Sequence, residues 1–222
     1  MNFKQLPKID LHLHLDGAIR VPTIAELGDE LGIKLPTNDP KKLAKFVQVD
    51  RDCRSLGDFL KRFEVFYPLL PFAKTQERIA YELCEDCMRD NVIYFEARFA
   101  PALAASKKFT MEDAVVAALE GFRRGQRDFA VRCGVILCCY RSISVQENIA
   151  TVKLAQKYRD KGVIGIDLAE MKIISPPRRT PRHLRWRESL KSRSRFTRAK
   201  AAGRKIFARL SSRTARRASA TA

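Results

Sequence analysis

The amino-acid sequence predicts an α/β fold in which parallel strands alternate with helices, followed by a basic tail of different composition. Three observations lead to this prediction: four short apolar segments, helical segments with capping signals between them, and a change in composition after Ala169. Chains in which strands and helices alternate build parallel sheets with right-handed crossovers. Four such strands make either an open doubly wound sheet or half of an eight-stranded barrel, and periodicity does not separate the two.

The predicted strands are short and rich in Val, Ile, Leu, Phe or Tyr. This composition is typical of strands that a parallel sheet buries on both faces. They are Lys8–Leu15, Val92–Phe99, Val131–Tyr140 and Val163–Leu168.

Helices are predicted between these strands wherever a hydroxyl residue precedes an acidic residue by three positions. In that arrangement the hydroxyl caps free backbone amides, and the acid meets the positive end of the helix dipole. The three pairs are Ser55 with Asp58, Thr110 with Asp113, and Ser144 with Glu147.

Two apolar stripes at helical spacing support the same assignment. Phe59, Phe63 and Phe66 fall on one face of a helix that Pro68 is expected to end. A similar stripe is formed by Ile79, Leu83 and Cys87, so Cys84 and Cys87 are interpreted as buried helix thiols rather than a metal or redox pair.

The basic excess of the chain is confined to its last quarter. The 222 residues carry a formal net charge of +18, of which Glu170–Ala222 contributes +15 and Met1–Ala169 only +3. Low hydrophobicity with high net charge predicts disorder, so we place a domain boundary at Ala169/Glu170. A basic-tailed nucleic-acid-binding α/β protein remains an alternative, although the tail has no base-reading motif and no specific nucleic-acid partner is expected.

Signals for export or membrane insertion are not found in the sequence. No apolar run approaches the roughly 18 residues that span a bilayer, and Met1–Gln5 lacks the apolar segment of a secretory signal. A cytoplasmic protein with no membrane partner is therefore expected, of unknown oligomeric state.

The chemically informative segment is Ile9–Gly17, with the sequence IDLHLHLDG. On a strand, His12 and His14 project from one face and can bind one metal ion, while Leu11, Leu13 and Leu15 fill the other face. Two ordinary histidines in a mixed strand would show the same spacing. Asp16 and Gly17 are expected to end the strand in a turn, which places the pair near the carboxyl edge where α/β barrels build active sites.

This segment resembles the first metal-binding strand of the adenosine deaminases. Tyr94–Pro101 (YFEARFAP), Leu137–Arg141 (LCCYR) and Gly165–Ala169 (GIDLA) are similar to the family's second, third and fourth strands, in the same order. The resemblance covers Met1–Ala169 and implies the first half of a (β/α)8 TIM barrel. It also implies zinc-dependent hydrolytic deamination of adenosine and 2′-deoxyadenosine in purine metabolism.

The resemblance assigns roles to five residues and leaves others unassigned. His12 and His14 match zinc ligands, His14 and Asp16 match substrate contacts with Asp16 accepting a ribose hydroxyl, and Phe59 and Phe63 match an apolar wall over the substrate. Asp16 as a simple turn cap, and the phenylalanines as core residues, are the alternatives. Another zinc amidohydrolase such as adenine deaminase is the alternative for the activity, but the Leu-Asp-Gly and Cys-Cys-Tyr-Arg contexts favour adenosine.

The tail lacks the motifs that should follow. In the family a Gly-Asp-Glu follows the fourth strand, and a later His-Ala-Gly-Glu supplies a third zinc ligand and the catalytic acid. Neither is present, so no catalytic residue is identified and the chain is expected to be inactive. His183, the one histidine of the tail, lies in a cationic setting that does not favour metal binding.

A shift of reading frame would explain this loss. Synonymous codons exist for which a reading one base earlier converts Glu170–Ser175 into Gly-Asp-Glu-Asn-Tyr-Phe and Thr197–Lys200 into His-Ala-Gly-Glu. In the same phase, Ala215–Ala222 becomes Gly-Ala-Thr-Arg-Ile-Gly-His-Gly, the family's next motif. The sequence therefore favours a one-base change near the Ala169 codon.

Overall fold

Four parallel strands form the sheet of this protein, in a computed structural model that describes residues 5–49, 53 and 55–169. They are β1 (Lys8–His14), β2 (Val92–Phe99), β3 (Arg132–Tyr140) and β4 (Val163–Ala169), each within one residue of its predicted bounds at either end. Their spatial order is β1-β2-β3-β4, the same as their order in the chain. A doubly wound sheet needs a point at which this order reverses, so the sequential order is that of a barrel.

Seven α-helices accompany the sheet in the described residues. Three of them connect successive strands: α4 joins β1 to β2, α6 joins β2 to β3, and α7 joins β3 to β4. The others form a long insertion after β1 and a short turn after β2. The helices are α1 (Val21–Leu31), α2 (Pro40–Val47), α3 (Leu56–Phe63), α4 (Ala73–Arg89), α5 (Pro101–Ala104), α6 (Met111–Asp128) and α7 (Val145–Lys157).

All three predicted capping pairs are confirmed. The Ser55 hydroxyl accepts from the Asp58 amide at the start of α3. Thr110 with Asp113 and Ser144 with Glu147 form complete capping boxes at α6 and α7, in which each side chain binds the other residue's backbone amide. These local pairs fix where the helices begin.

The extent predicted for the phenylalanine helix is wrong. Helix α3 ends at Phe63, and a separate 3₁₀ turn at Tyr67–Leu69 contains the proline. Phe66 lies between the two elements, but its ring still contacts Phe63 with 5.3 Å between ring centroids. The aromatic contact therefore forms without a continuous helix.

Helices α4 and α6 pack unusually closely because glycine occupies the contact. A Cβ atom on Gly121 would lie 2.1 Å from the Glu77 carbonyl oxygen, and one on Gly125 would lie 2.5 Å from the Cys84 Cβ. Both separations are below any real Cβ contact. The backbone of α6 thus rests directly on α4.

The described residues bury two apolar clusters. The larger lies between the sheet and the helices α4, α6 and α7, with Phe95 of β2 against Phe122 of α6. Cys84 and Cys87 belong to it with 0% and 5% exposure, which confirms the predicted buried thiols. The smaller cluster lies within the insertion and includes Phe63.

Residues 170–222 lie outside the described residues. The predicted domain boundary, the predicted disorder of the tail and the setting of His183 accordingly stay predictions. Within the residues that are described, no helix is long and apolar enough to cross a membrane.

Candidate functional site

His12 and His14 lie together at the carboxyl end of β1. Their ring centroids are 5.5 Å apart, with an angle of 42° between the ring planes. The strand order places this end beside the carboxyl ends of β2, β3 and β4, the edge at which parallel barrels bind ligands. Two imidazoles at this separation can approach a single metal ion.

The opposite face of β1 differs from the simple alternation predicted for it. Leu15 is fully buried and Leu13 packs against the main core, but Leu11 is 53% exposed. The register explains the difference: Asp10 pairs with Phe95 and Leu13 with Ala97, so β1 has one extra residue over this span. An extra residue interrupts the alternation of a strand.

Asp16 directly follows the strand in a 3₁₀ turn at Asp16–Ala18. Its Oδ1 accepts a hydrogen bond from the Gly17 amide at 3.1 Å and lies 3.7 Å from the His14 Nδ1. The side chain is 15% exposed, so part of the carboxylate remains accessible. The turn-capping contact exists, and it leaves a second oxygen for another partner.

Phe63 stands against the end of β1, whereas Phe59 is nearer to solvent. A Cβ atom on Gly17 would lie 3.5 Å from both the His14 Cβ and the Phe63 Cζ, so the phenylalanine ring flanks the histidine strand. Phe59 meets Phe63 edge to face at 5.1 Å and is 38% exposed. Phe63 is thus a core residue that also borders the turn after β1.

Polar groups from the other elements converge on the same edge. Tyr67 lies near Asp16 and near Tyr140, the last residue of β3. Burial is the main cause that raises the pKa of the Tyr67 hydroxyl, and these two neighbours raise it further. Burial raises the pKa of the Cys138 thiol to about 12, with the charges of Asp167 and Asp16 adding to the effect. Both groups are therefore protonated at neutral pH.

Two charged residues at this edge were not singled out in the sequence. Arg98 of β2 forms an ion pair with Asp167 of β4, and its second terminal nitrogen donates to the Leu11 carbonyl at 2.9 Å. Arg98 is only 8% exposed. A charged residue near the end of an otherwise buried strand is the signal that could have revealed it, since such residues are rarely buried without partners.

The donors present suit part of a zinc site. Neutral imidazoles are preferred zinc ligands, and His12 and His14 supply two. Over residues 5–49, 53 and 55–169, no group of three or more His, Cys, Asp or Glu side chains is placed to hold a metal ion. The described residues thus offer two ligands of the three or more that catalytic zinc sites use.

Known proteins resemble this chain in sequence. The profile of the adenosine deaminase family matches residues 7–204. The adenosine deaminase of Clostridium botulinum strain Kyoto is 39% identical over 168 residues, which are 76% of this chain and 50% of that protein. The chain thus spans about half the length of the curated relatives that it matches.

Solved structures resemble its fold. The N6-mAMP deaminase MAPDA of Arabidopsis superposes with a TM-score of 0.63 and 30% identity, over 75% of this chain and 51% of that one. A zinc-bound amidohydrolase from Burkholderia ambifaria gives a TM-score of 0.66 at 27% identity, over 79% of this chain and 47% of the other.

The sequential parallel sheet and these superpositions define the class of protein, the TIM-barrel amidohydrolases, of which the described residues provide four strands and the helices that connect them. The sequence comparison then defines the family. The chain belongs to the adenosine deaminase family.

Proposed function

We propose that this chain carries the amino-terminal part of a zinc-dependent adenosine deaminase site. The observation that carries the proposal is the His12–His14 pair, with ring centroids 5.5 Å apart at the carboxyl end of β1. The 39% identity with an adenosine deaminase supports adenosine and 2′-deoxyadenosine as the substrates of the parent reaction. That reaction releases ammonia and leaves inosine or 2′-deoxyinosine.

In this proposal the described residues bind and orient the ligands. His12 and His14 hold the zinc ion, which when bound supplies the Lewis acidity for hydrolysis. The free oxygen of Asp16 accepts a ribose hydroxyl. Phe63 flanks His14 and, with the more exposed Phe59, forms an apolar wall that excludes water from the purine.

We further propose that the chain as it stands does not catalyse deamination. A catalytic zinc site needs at least one more protein ligand and a general acid, and no residue of Glu170–Ala222 matches the family motifs that supply them. Frame-shifted readings of this segment match them for suitable choices of synonymous codons. A one-base change in the gene near the Ala169 codon would account for the missing motifs.

Metal analysis and an adenosine deamination assay on the purified full chain test these proposals. We expect the full chain to bind zinc weakly and His12→Ala to abolish this binding. In the assay, we expect the absorbance of adenosine to decrease no faster with the chain than without it. Restoring the frame in the gene should yield measurable deamination. Deamination by the unaltered chain, or a gene with no deaminase frame alongside this one, would contradict the proposal.

A further inference from the structure

We infer that Arg98 is a positioning residue that sets the geometry of the His12–His14 pair by locking a bulge in β1. The inference rests on the proposed function in one respect only, namely that the histidine pair binds a metal ion. The positioning itself is read from the backbone of β1 and from the contacts of one arginine.

The bulge includes the first residue of the histidine pair. Between its pairings with Phe95 and Ala97 of β2, strand β1 advances by three residues, from Asp10 to Leu13, while β2 advances by two. The extra residue falls at Leu11 or His12. Bulges of this kind redirect side chains and are common beside active sites.

Side chains satisfy the backbone groups at the bulge. The His12 amide donates to the Asp10 Oδ1 at 2.9 Å, and the Leu11 carbonyl accepts from the Arg98 Nη2 at 2.9 Å. The Leu11 carbonyl and the His12 amide belong to the same planar peptide unit. Holding that carbonyl therefore holds the plane from which the His12 side chain projects.

Arg98 is itself held in place from the far side of the sheet. Its Nη1 donates to the Asp167 carboxylate of β4, two strands away from β2, so the guanidinium contacts both β1 and β4. The Arg98 side chain is 10% exposed. A planar guanidinium that uses both terminal nitrogens fixes direction as well as distance, which lysine cannot do.

The Nε of Arg98, which makes no hydrogen bond among the described residues, indicates that Arg98 does more than stabilise the fold. Its Nε is buried and has no partner among the described residues. Burying an unpaired donor is unfavourable, and well-packed apolar residues often replace buried ion pairs without loss of stability. Arg98 nevertheless connects the strand of the histidine pair to β4 at the irregularity between Asp10 and Leu13.

The test measures chelation by the two imidazoles alone. The full chain carrying His183→Ala retains only His12 and His14 as histidines. Cu²⁺–iminodiacetate, which has room for two adjacent imidazoles, is titrated into it and binding is followed by absorbance and electron paramagnetic resonance. Within this background, His12→Ala gives the affinity of a single imidazole.

We expect Arg98→Met and Asp167→Asn to weaken chelation at least about tenfold, the scale of losses on removing groups that orient metal ligands. The affinity of Arg98→Lys for the copper probe should lie between that of Arg98→Met and that of the His183→Ala chain with Arg98 intact. The matched control is Arg123→Met, which removes the same charge from an exposed arginine of α6 that is paired with Glu120. It should leave the affinity unchanged.

A stability control separates positioning from general destabilisation. Val135→Ala truncates a buried residue of β3, a strand that does not pair with β1, and should lower the urea midpoint without weakening chelation. Circular dichroism and urea unfolding are recorded for every variant. Should Arg98→Met fail to fold, Arg98→Lys and Asp167→Asn decide the question.

The outcomes are distinguishable. Unchanged chelation in Arg98→Met, or an equal loss in Val135→Ala at matched stability, overturns the positioning role and leaves the proposed function standing. A parent chain that binds the probe no better than His12→Ala overturns both. Loss confined to the Arg98 and Asp167 variants supports the positioning role, whatever the deamination assay returns.

Discussion

Cys138 and Cys139 show how residue environment controls reactivity in this protein. Burial raises the pKa of Cys138 to about 12 and that of Cys139 to about 11, and in both cases the Asp167 carboxylate adds to the effect. Since the thiolate is the reactive form, both thiols are inert in the folded state at neutral pH. Cys53, which is partly exposed, is the natural comparison.

We predict that iodoacetamide at pH 8 labels Cys53 rapidly and leaves Cys138 unlabelled until urea unfolds the chain. An unfolded thiol ionises near pH 8.5, below the folded pKa of about 12 for Cys138. The resulting stabilisation is therefore complete below about pH 8.5 and is lost as the pH rises towards 12. Peptide mass spectrometry gives the rates, and native labelling of Cys138 at the rate of Cys53 would refute the prediction.

At the residue scale, short-range spacing was predictable and long-range pairing was not. The spacing of two positions between His12 and His14 puts both side chains on one face of a pleated strand, and the rings do lie side by side. The pairing of Arg98 with Asp167 joins residues 69 positions apart. It depends on β4 folding beside β3, which no local pattern encodes.

At the scale of elements, the α4–α6 contact depends on the absence of side chains. Gly121 and Gly125 lie one helical turn apart on α6, and each meets α4 closer than a Cβ atom allows. Overpacking such a contact forces the helices apart and disturbs the buried residues between them.

We predict that Gly121→Ala lowers the free energy of unfolding by about 1–3 kcal/mol, because its methyl group would displace α4. Gly57→Ala is the matched control: its Cβ would lie 3.7 Å from the nearest atom, within helix α3. There alanine should be neutral or stabilising by up to about 1 kcal/mol through helix propensity. Urea denaturation of both variants checks the difference, and equal midpoints would contradict it.

The sequence predicted where helices begin better than where they end. The capping pairs predicted the starts of α3, α6 and α7 correctly, because a cap involves residues only three positions apart. The end of α3 was misjudged, since the stripe through Phe66 indicated a longer helix. Tertiary packing holds Phe66 in its cluster although it lies outside α3, and periodicity does not distinguish the two arrangements.

At the scale of the whole molecule, the two outer strands of the described sheet differ from the two inner strands in how many neighbours they pair with. Among the described strands, β2 and β3 pair on both sides, whereas β1 and β4 each pair on one. Ile9 and Leu11 of β1 are 44% and 53% exposed, next to Leu6 at 43%. Unpaired edges and adjoining apolar side chains favour association between chains.

We predict that the purified chain associates increasingly with concentration and that Leu11→Lys reduces this association without lowering the urea midpoint. A charge on an exposed edge strand opposes edge-to-edge pairing at little cost to folding. Val116→Lys, at a similarly exposed position on α6, is the control and should leave association unchanged. Static light scattering over a concentration series decides; a monomer at all concentrations would refute the prediction.

What the sequence by itself determined is the set of local features: four strands, three capped helix starts, buried thiols and a pair of histidines at strand spacing. Each depends on residues within a few positions of one another, where the backbone alone sets the geometry. The choice between an open sheet and a barrel required the strand order, and the bulge in β1 required its register with β2. Only the tertiary structure brings Arg98, Asp167 and the Leu11 carbonyl together, because such contacts form between strands that are distant in the chain and adjacent in the sheet.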